Sequence, residues 1–222
     1  MKDAKNVNTA ATNSRLYQMQ LFVAALLLLL LCPIAIAFFP NYPKLIFEVV
    51  FSAVVLTGIQ VVRDTRSHFY TGLGLGLFGI AIIWLSFFRQ QADWLTWLQI
   101  VILLGFTVFL TWHLFRLIFF HKTMSLEIIL ASIAGYLILG FLGGQFCHIM
   151  ELALPGSFRL EGSGHLFQLV YFSYSTLITL GYGDITPLTP AAKSLALLIS
   201  ISGQLYLTLL VAILVGKFLS KG

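Results

Sequence analysis

The sequence predicts an all-α membrane protein, and three observations carry that prediction. Of the 222 residues, 59% are hydrophobic and 9% are charged, and the mean hydropathy is +0.95. A soluble domain carries about 25% charged residues, so this composition excludes a soluble enzyme and a disordered chain. The apolar residues are gathered into stretches of the roughly 20 residues that a bilayer-spanning helix needs. The 13 Lys and Arg are scattered between these stretches, a distribution typical of membrane topology and unlike a nucleic-acid-binding surface.

Six apolar stretches, each bounded by charge, proline or glycine, are predicted to be transmembrane helices. They span 17–39, 45–62, 71–88, 94–120, 126–150 and 191–219. The connections between them are short except for the last, which runs from 151 to 190. This long connection contains a weaker apolar segment, 165–178, which is too short to cross a bilayer. We therefore expect six spanning helices and one half-length helix.

The orientation follows from the positive residues that flank the stretches. With the N-terminus in the cytoplasm, nine of the 13 Lys and Arg lie inside and four lie outside. The nine are Lys2, Lys5, Arg15, Arg63, Arg66, Arg116, Lys122, Lys217 and Lys221. We expect a multi-pass protein of the cell membrane with both termini cytoplasmic. The run from Leu21 to Phe39 exceeds the apolar core of about 7–15 residues in a signal peptide, so the first helix is expected to be retained.

Glycines in two of the stretches indicate close helix packing. Gly74, Gly76 and Gly79 match the G-x-G-x-x-G dinucleotide fingerprint as a string, but that fingerprint requires a strand in a soluble βαβ unit. Here it lies inside the third apolar stretch, where Gly72 and Gly76 are four residues apart, a spacing typical of helix contacts in membranes. The fifth stretch contains four more glycines, which predict the same: Gly135, Gly140, Gly143 and Gly144.

Single polar residues within the stretches do not indicate a cofactor site. His113 and His148 lie inside apolar runs on different helices, without the paired spacing of haem or metal ligands. The acidic residues Glu48, Glu127 and Glu151 lie near predicted helix ends, which favours an interfacial role over a proton relay. Two cysteines in apolar runs, Cys32 and Cys147, are expected to be inert thiols. We expect no cofactor.

The long connection contains the one specific motif, T-L-I-T-L-G-Y-G-D at 176–184. It resembles the signature of the tetrameric potassium channels, T-x-x-T-x-G-Y-G-D, at every fixed position. The order of elements around it is also similar, since a spanning helix, an outer loop and a half-length helix precede it and a spanning helix follows. The resemblance covers about 126–219. It implies a homotetrameric channel rather than an enzyme, with K⁺ as the permeant ion and membrane lipids as the surroundings.

The resemblance also implies roles for individual residues. Backbone carbonyls of four chains replace the water that K⁺ sheds. These residues would form the ion-binding filter, with the Thr179 hydroxyl completing the inner site: Thr179, Leu180, Gly181, Tyr182 and Gly183. The two glycines tolerate the positive φ that this arrangement requires. Residues that would support the filter are Asp184 at the mouth and Thr176, Ser175, Tyr171 and Phe172 behind it.

Two details of this filter region follow from the same resemblance. Tyr182 would point away from the axis, toward aromatic residues of the half-length helix, among which Tyr171, Phe172 and Tyr174 are available. Ser175 stands where some family members carry Glu, so a carboxylate link to Asp184 is absent.

The last stretch would carry the gate. Gly203 lies 20 residues after Gly183 and matches the hinge glycine of the family, although close packing explains a glycine there equally well. A subset of the apolar residues beyond it would face the axis and form a constriction. The candidates are Leu207, Leu210, Val211, Leu214 and Phe218.

The first four stretches resemble a voltage sensor without its arginine ladder. The fourth stretch, 94–120, contains only Arg116, whereas steep gating needs about 3–4 charges per subunit. We expect three parts of the chain: a cytoplasmic tail at 1–16, a sensor-like domain at 17–122, and a pore domain at 123–222 that includes the filter, 179–184.

The sequence thus predicts a potassium-selective channel that is not steeply voltage-gated. A less selective cation channel is an alternative of the same class. A redox membrane protein or a non-conducting subunit is an alternative of another class. The intact G-Y-G-D motif disfavours both, and a redox protein should also show paired intramembrane histidines.

Overall fold

The computed structural model describes residues 2–62, 66–88, 93–120, 125–160 and 165–219. Over these ranges the backbone forms seven α-helices in chain order. They are α1 (Lys2–Phe38), α2 (Pro43–Val61), α3 (Arg66–Phe88), α4 (Asp93–Phe120), α5 (Leu126–Ala153), α6 (His165–Leu177) and α7 (Pro190–Leu219). In these ranges the only β pairing is an isolated bridge between Phe158 and Pro187.

Six of the helices are long and apolar enough to cross a membrane, as predicted. The exception, α6, has 13 residues and a length of about 20 Å, less than the roughly 30 Å of a bilayer core. The chain is therefore an all-α membrane protein. The predicted and observed helix bounds agree to within a few residues, except that α1 begins at Lys2 instead of Tyr17. The segment before Tyr17 contains neither glycine nor proline, so nothing in it stops the helix.

The chain divides into two compact units, Met1–Ala134 and Gly135–Gly222. In the first, α1 packs on α2, α2 on α3, and α3 on α4. A Cβ added to Gly76 would lie 2.5 Å from Ile59 Cδ1, and one on Gly72 would lie 3.1 Å from Phe109 Cε1. Both glycines therefore allow close helix contact, which confirms the prediction for this pair.

A polar cluster links three helices of the first unit. The Lys44 ammonium donates to the Ser86 carbonyl at 2.9 Å, and the Ser86 hydroxyl donates to Gln99 Oε1 at 2.7 Å. Lys44 Nζ also lies 4.0 Å from Oε1 of Glu48, whose side chain is 2% exposed. Glu48 is thus buried near the start of α2, and its ion pair is with a lysine of its own helix.

The second unit packs α5 and α7 around the half-length helix α6. Its core contains Cys147, Phe158, Leu169, Phe172, Leu177, Ala192 and Ile199. Glycines of α5 make room for α6: a Cβ on Gly140 would meet the Tyr174 ring, and one on Gly144 would lie 2.7 Å from Val170 Cα. The predicted tight packing of α5 is confirmed.

Backbone bonds tie together the two ends of the long connection. The amide of Arg159 donates to the Thr186 carbonyl at 2.9 Å, and the amide of Leu188 donates to the Ser157 carbonyl at 2.8 Å. The Glu151 carboxylate accepts from the amides of Gly156 at 2.7 Å and Phe158 at 2.9 Å. The Glu151 side chain thereby fixes the turn that follows α5.

Candidate functional site

The motif segment begins on the last turn of α6. The Ser175 carbonyl accepts hydrogen bonds from the amides of Leu180 at 2.7 Å and Gly181 at 3.3 Å, and the Thr179 amide donates to the Thr176 carbonyl at 3.1 Å. Carbonyls at the C-terminal end of a helix have no partner within the helix. These bonds therefore give the Ser175 and Thr176 carbonyls hydrogen-bond partners and anchor the motif segment to α6. The sequence did not indicate this role for the Ser175 backbone.

The backbone of the motif alternates in handedness. The φ angles of Thr179, Gly181 and Gly183 are 58°, 60° and 80°, whereas Leu180 and Tyr182 keep negative φ. In a β-strand successive carbonyls point to opposite sides. Alternation between left-handed and right-handed residues turns successive peptide planes the same way, so that the carbonyls line one side. The positive φ predicted for the two glycines is confirmed.

Thr179 is the residue whose conformation the sequence missed. It is β-branched, and holding such a residue in the left-handed region costs about 1–3 kcal/mol. Among the described residues it is the only non-glycine with positive φ. The sequence offered one signal for it. Gly181 and Gly183 are two residues apart, and Thr179 lies two residues before Gly181, so an alternating backbone would make Thr179 left-handed as well.

The motif segment is uncovered in a single chain. Every residue from Ile178 to Asp184 is exposed, and a Cβ added to Gly181 or Gly183 would meet no atom of the described residues within 4 Å, apart from its chain neighbours. Backbone N–H and C=O groups without partners are not tolerated in hydrocarbon. At membrane depth this segment therefore needs water, ions or other protein chains around it.

The aromatic residues of α6 have partners within the chain. The Tyr171 hydroxyl donates a hydrogen bond to the Asp184 carboxylate, and partial burial together with this bond raises the pKa of Tyr171. Phe172 packs edge-on against Phe158 with ring centroids 5.2 Å apart, and the Tyr174 hydroxyl donates to the Leu137 carbonyl at 2.5 Å. Tyr182 itself remains 72% exposed.

The position behind the motif is filled by a hydroxyl. Ser175 is buried, and its hydroxyl donates to the Phe172 carbonyl at 3.0 Å. The Asp184 carboxylate therefore accepts its hydrogen bond from the Tyr171 hydroxyl and not from the side chain at position 175. This aspartate–tyrosine bond links the far end of the motif back to α6.

Gly203 lies against the end of α6. A Cβ on Gly203 would contact the Leu177 carbonyl oxygen and lie 2.9 Å from Leu177 Cδ1. Close packing, one of the two explanations for this glycine, is therefore present in the structure. Helix α7 runs unbroken through the position, and a hinge there stays a prediction.

The gate candidates lie along α7 and are not brought together in one chain. Leu210 and Leu214 are half-buried, whereas Leu207, Val211 and Phe218 are exposed. The sequence could not separate these two groups, because all five are apolar and recur at helical spacing.

Metal-binding and redox sites are not evident in the described ranges. No group of three or more His, Cys, Asp or Glu in them could hold a metal ion. Both cysteines, Cys32 and Cys147, are buried free thiols.

Comparisons with known proteins agree with the position of the motif. Residues 123–220 match a family model described as an ion channel. A stretch of 43 residues is 56% identical to a two pore potassium channel c from Oryza sativa subsp. japonica; it makes up 18% of this chain and 9% of the rice protein. The matched stretch thus spans about a tenth of that relative. No solved structure matches. The C-terminal part of the chain is therefore similar to an ion-channel domain.

Proposed function

We propose that four copies of this chain form a potassium channel that conducts K⁺ passively across the cell membrane. The observation that carries the proposal is the alternating backbone of Thr179–Gly183, which can present a row of carbonyl oxygens to one axis. K⁺ would bind between the carbonyls of Thr179, Leu180, Gly181 and Tyr182, with the Thr179 hydroxyl at the inner end. These oxygens replace the water that the ion sheds. The similarity of 123–220 to an ion-channel domain supports the same function.

Two further features of the second unit favour a cation. The C-terminal end of α6, at Leu177, lies two residues before Thr179, the first residue of the proposed filter, and a helix carries about −0.5 charge at that end. Asp184 adds a carboxylate at the opposite end of the motif. Four copies would therefore surround the axis with negative potential at both ends of the filter.

The exposure of the motif supports the proposed assembly as a homotetramer. One chain supplies one row of carbonyls, and its residues from Ile178 to Asp184 are exposed. Four copies around an axis would cover them and complete each ion site. In such an assembly Tyr182, which is 72% exposed, would pack against aromatic residues of α6 in a neighbouring copy.

The first four helices are proposed to be a sensor-like domain, 17–122, that does not drive steep voltage gating. Helix α4 carries a single basic residue between Trp94 and Phe120, Arg116. Both termini would face the cytoplasm, and the connection that holds α6 would face outward.

Size and ion flux together test the proposal. The chain has a mass of 24.7 kDa, and the protein in nanodiscs should have a protein mass of about four times that value. Reconstituted in liposomes, it should pass K⁺ much faster than Na⁺. A species no larger than a dimer would contradict the assembly, and equal fluxes of K⁺ and Na⁺ would favour the less selective cation channel.

A further inference from the structure

Helix α7 buries only one narrow side of its surface. Its buried residues are Ala192, Ile199, Gly203 and Tyr206, which recur at intervals of seven, four and three and therefore form one stripe. In the most apolar 18-residue stretch of α7, 17% of the residues are buried, whereas in the corresponding stretch of α5 the share is 50%. The remaining sides of α7 must be covered by something other than this chain.

The two uncovered sides of α7 differ in polarity. One side carries Ser200, Gln204 and Thr208, and it continues at helical spacing with Val211, Val215 and Phe218. The other side is mainly apolar. It carries Leu198, Ile201, Leu205, Leu209 and Ala212, all of them exposed, with Ser194 at the same spacing in the first turns of the helix. Serine and threonine can bond to a carbonyl of their own helix, so the residue that distinguishes the two sides is the amide Gln204.

Gln204 is the residue that decides between the possible surroundings. It lies at the midpoint of Pro190–Leu219, where the helix crosses the centre of a bilayer. The Thr208 hydroxyl donates a hydrogen bond to the Gln204 backbone carbonyl at 2.8 Å, so the Thr208 side chain can face either lipid or water. The Gln204 side chain is exposed, and within the described part of the chain no group hydrogen-bonds to its amide. An amide without partners is strongly disfavoured in hydrocarbon.

We propose that Gln204 faces the water-filled path of the assembled channel, where four copies of its amide form a ring that holds a hydrated cation beneath the filter. This inference rests on the proposed function. An amide carbonyl is a neutral oxygen donor to cations, and the NH₂ group binds water. The apolar residues farther along the same side, Val211, Val215 and Phe218, then line a narrower and drier part of the path. The rival arrangement has Gln204 paired with a neighbouring copy across a dry helix contact.

Thiol labelling in nanodiscs tests the position of the side chain. Gln204→Cys should react with a permanently charged, membrane-impermeant thiol reagent. Leu205→Cys is the matched control, because Leu205 is 55% exposed in one chain but lies on the apolar side. The parent protein is the blank, since its own cysteines, Cys32 and Cys147, are 1% and 0% exposed.

We expect labelling of Gln204→Cys well above the blank and labelling of Leu205→Cys at the blank. An unlabelled Gln204→Cys, or a Leu205→Cys that reacts equally fast, overturns the inference. The readout is covalent modification, so it does not require conduction. A parent protein that passes no K⁺ would contradict the proposed function without deciding which side of α7 meets water.

Ion flux tests whether the amides act on the cation. Gln204→Leu keeps the size of the side chain and removes the polar atoms of all four copies, and we expect K⁺ flux to fall by at least about five-fold, the factor for losing one neutral hydrogen bond. Gln204→Asn keeps an amide and should retain most of the flux, while Leu205→Ala should not change it. Flux in Gln204→Leu equal to the parent would overturn the cation-binding ring.

Discussion

The two compact units of this chain use glycine for different contacts. In the first unit, glycines face the ends of flexible side chains: Gly76 faces Ile59 Cδ1, and Gly58 faces Leu110 Cδ1 at 2.9 Å. In the second unit, glycines face groups that belong to the support of the motif. A Cβ on Gly143 would meet the Ser173 hydroxyl, and one on Gly203 would meet the carbonyl of Leu177.

This difference indicates where the structure can yield. The end of an isoleucine or leucine can change rotamer to admit a methyl group. A backbone carbonyl at the end of α6 cannot move without moving the motif that follows it. Ser173 is similarly fixed, because its hydroxyl donates to the Gly140 carbonyl at 2.7 Å. Composition does not distinguish the units, since both consist of long apolar helices, but only the second holds a special backbone in place.

The largest expected effect comes from a methyl group within the motif. Gly181→Ala should abolish K⁺ flux in liposomes, because φ of 60° is unfavourable for any residue with a Cβ and the alternating backbone depends on it. The cost is local, since apart from the two adjacent residues no atom of the described part of the chain lies within 4 Å of the added Cβ.

Gly156→Ala is the matched control for this substitution. Gly156 has φ of 81° and an equally open Cβ position, but it lies in the turn after α5. It should carry the same local strain and still conduct. Equal loss of flux in both variants would mean that strain anywhere in the second unit stops conduction, and normal flux in Gly181→Ala would refute the carbonyl filter.

Alanine substitutions of glycines in the two units should differ in how much they destabilise the protein. Gly203→Ala should destabilise the protein by about 1–3 kcal/mol, the usual cost of overpacking, because the new methyl meets a backbone oxygen. Gly76→Ala should cost less, since the Ile59 side chain can move. Thermal unfolding in detergent measures both, and Gly216→Ala, with open space around its Cβ, is the control on the same helix.

This experiment also separates the two explanations for Gly203. If packing is its role, Gly203→Ala loses stability and Gly216→Ala does not. If the residue is purely a hinge, Gly203→Ala keeps the parent's unfolding temperature and changes only open probability. Equal destabilisation by Gly76→Ala and Gly203→Ala would break the proposed contrast between the units.

The sequence predicted well the features that depend on length and pattern. The six spanning helices, the short α6 and the contacts of Gly72, Gly76, Gly140 and Gly144 follow from apolar run lengths and small-residue spacing, and the structure confirms them. The early start of α1 was missed because apolarity marks where a helix meets the bilayer and not where the helix begins.

Features that depend on backbone geometry or on folding back of the chain could not be predicted. The two amides that donate to the Ser175 carbonyl and the left-handed Thr179 arise because the chain turns sharply at the end of α6. Tyr171 and Asp184 lie 13 residues apart, and no periodic pattern pairs them. The roles of the motif residues in binding ions remain predictions from the resemblance, since the geometry fits them without testing them.

The hydrogen bond between Tyr171 and Asp184 predicts a moderate, pH-dependent effect within the second unit. Tyr171→Phe should lower both K⁺ flux and the unfolding temperature, because the far end of the motif loses its tie to α6. The folded-state pKa of Tyr171 is raised above its ordinary value of 10.0, so the bond stabilises the folded protein below about pH 10. That contribution is lost as the pH rises through the raised pKa.

Unfolding temperatures of the parent and of Tyr171→Phe, measured from neutral to strongly alkaline pH, check the sign. The gap between them should be constant below about pH 10 and should close above it. Subtracting the variant removes the titration of the other tyrosines. A gap that widens with pH would show that Tyr171 does not act as the donor to Asp184.

The smallest expected effect concerns voltage and tests the passive role assigned to the first unit. Helix α4 carries one basic residue between Trp94 and Phe120, and the buried carboxylate of Glu48 is paired with Lys44 on α2. If Arg116 crossed the whole field, four copies would move about four charges, against roughly 12–16 for a steep sensor. Arg116 lies one turn from the end of α4, where a long side chain reaches the lipid headgroups.

Arg116→Gln should therefore leave the steady-state voltage dependence of K⁺ current nearly unchanged in a planar bilayer. The same recordings on Gly203→Ala show whether a substitution in the second unit alters gating. A parent protein with a steep activation curve that flattens in Arg116→Gln would reverse the assignment. The first unit would then be the moving part, and the contacts of its glycines with the ends of flexible side chains, which can change rotamer, would be the feature that lets α4 slide.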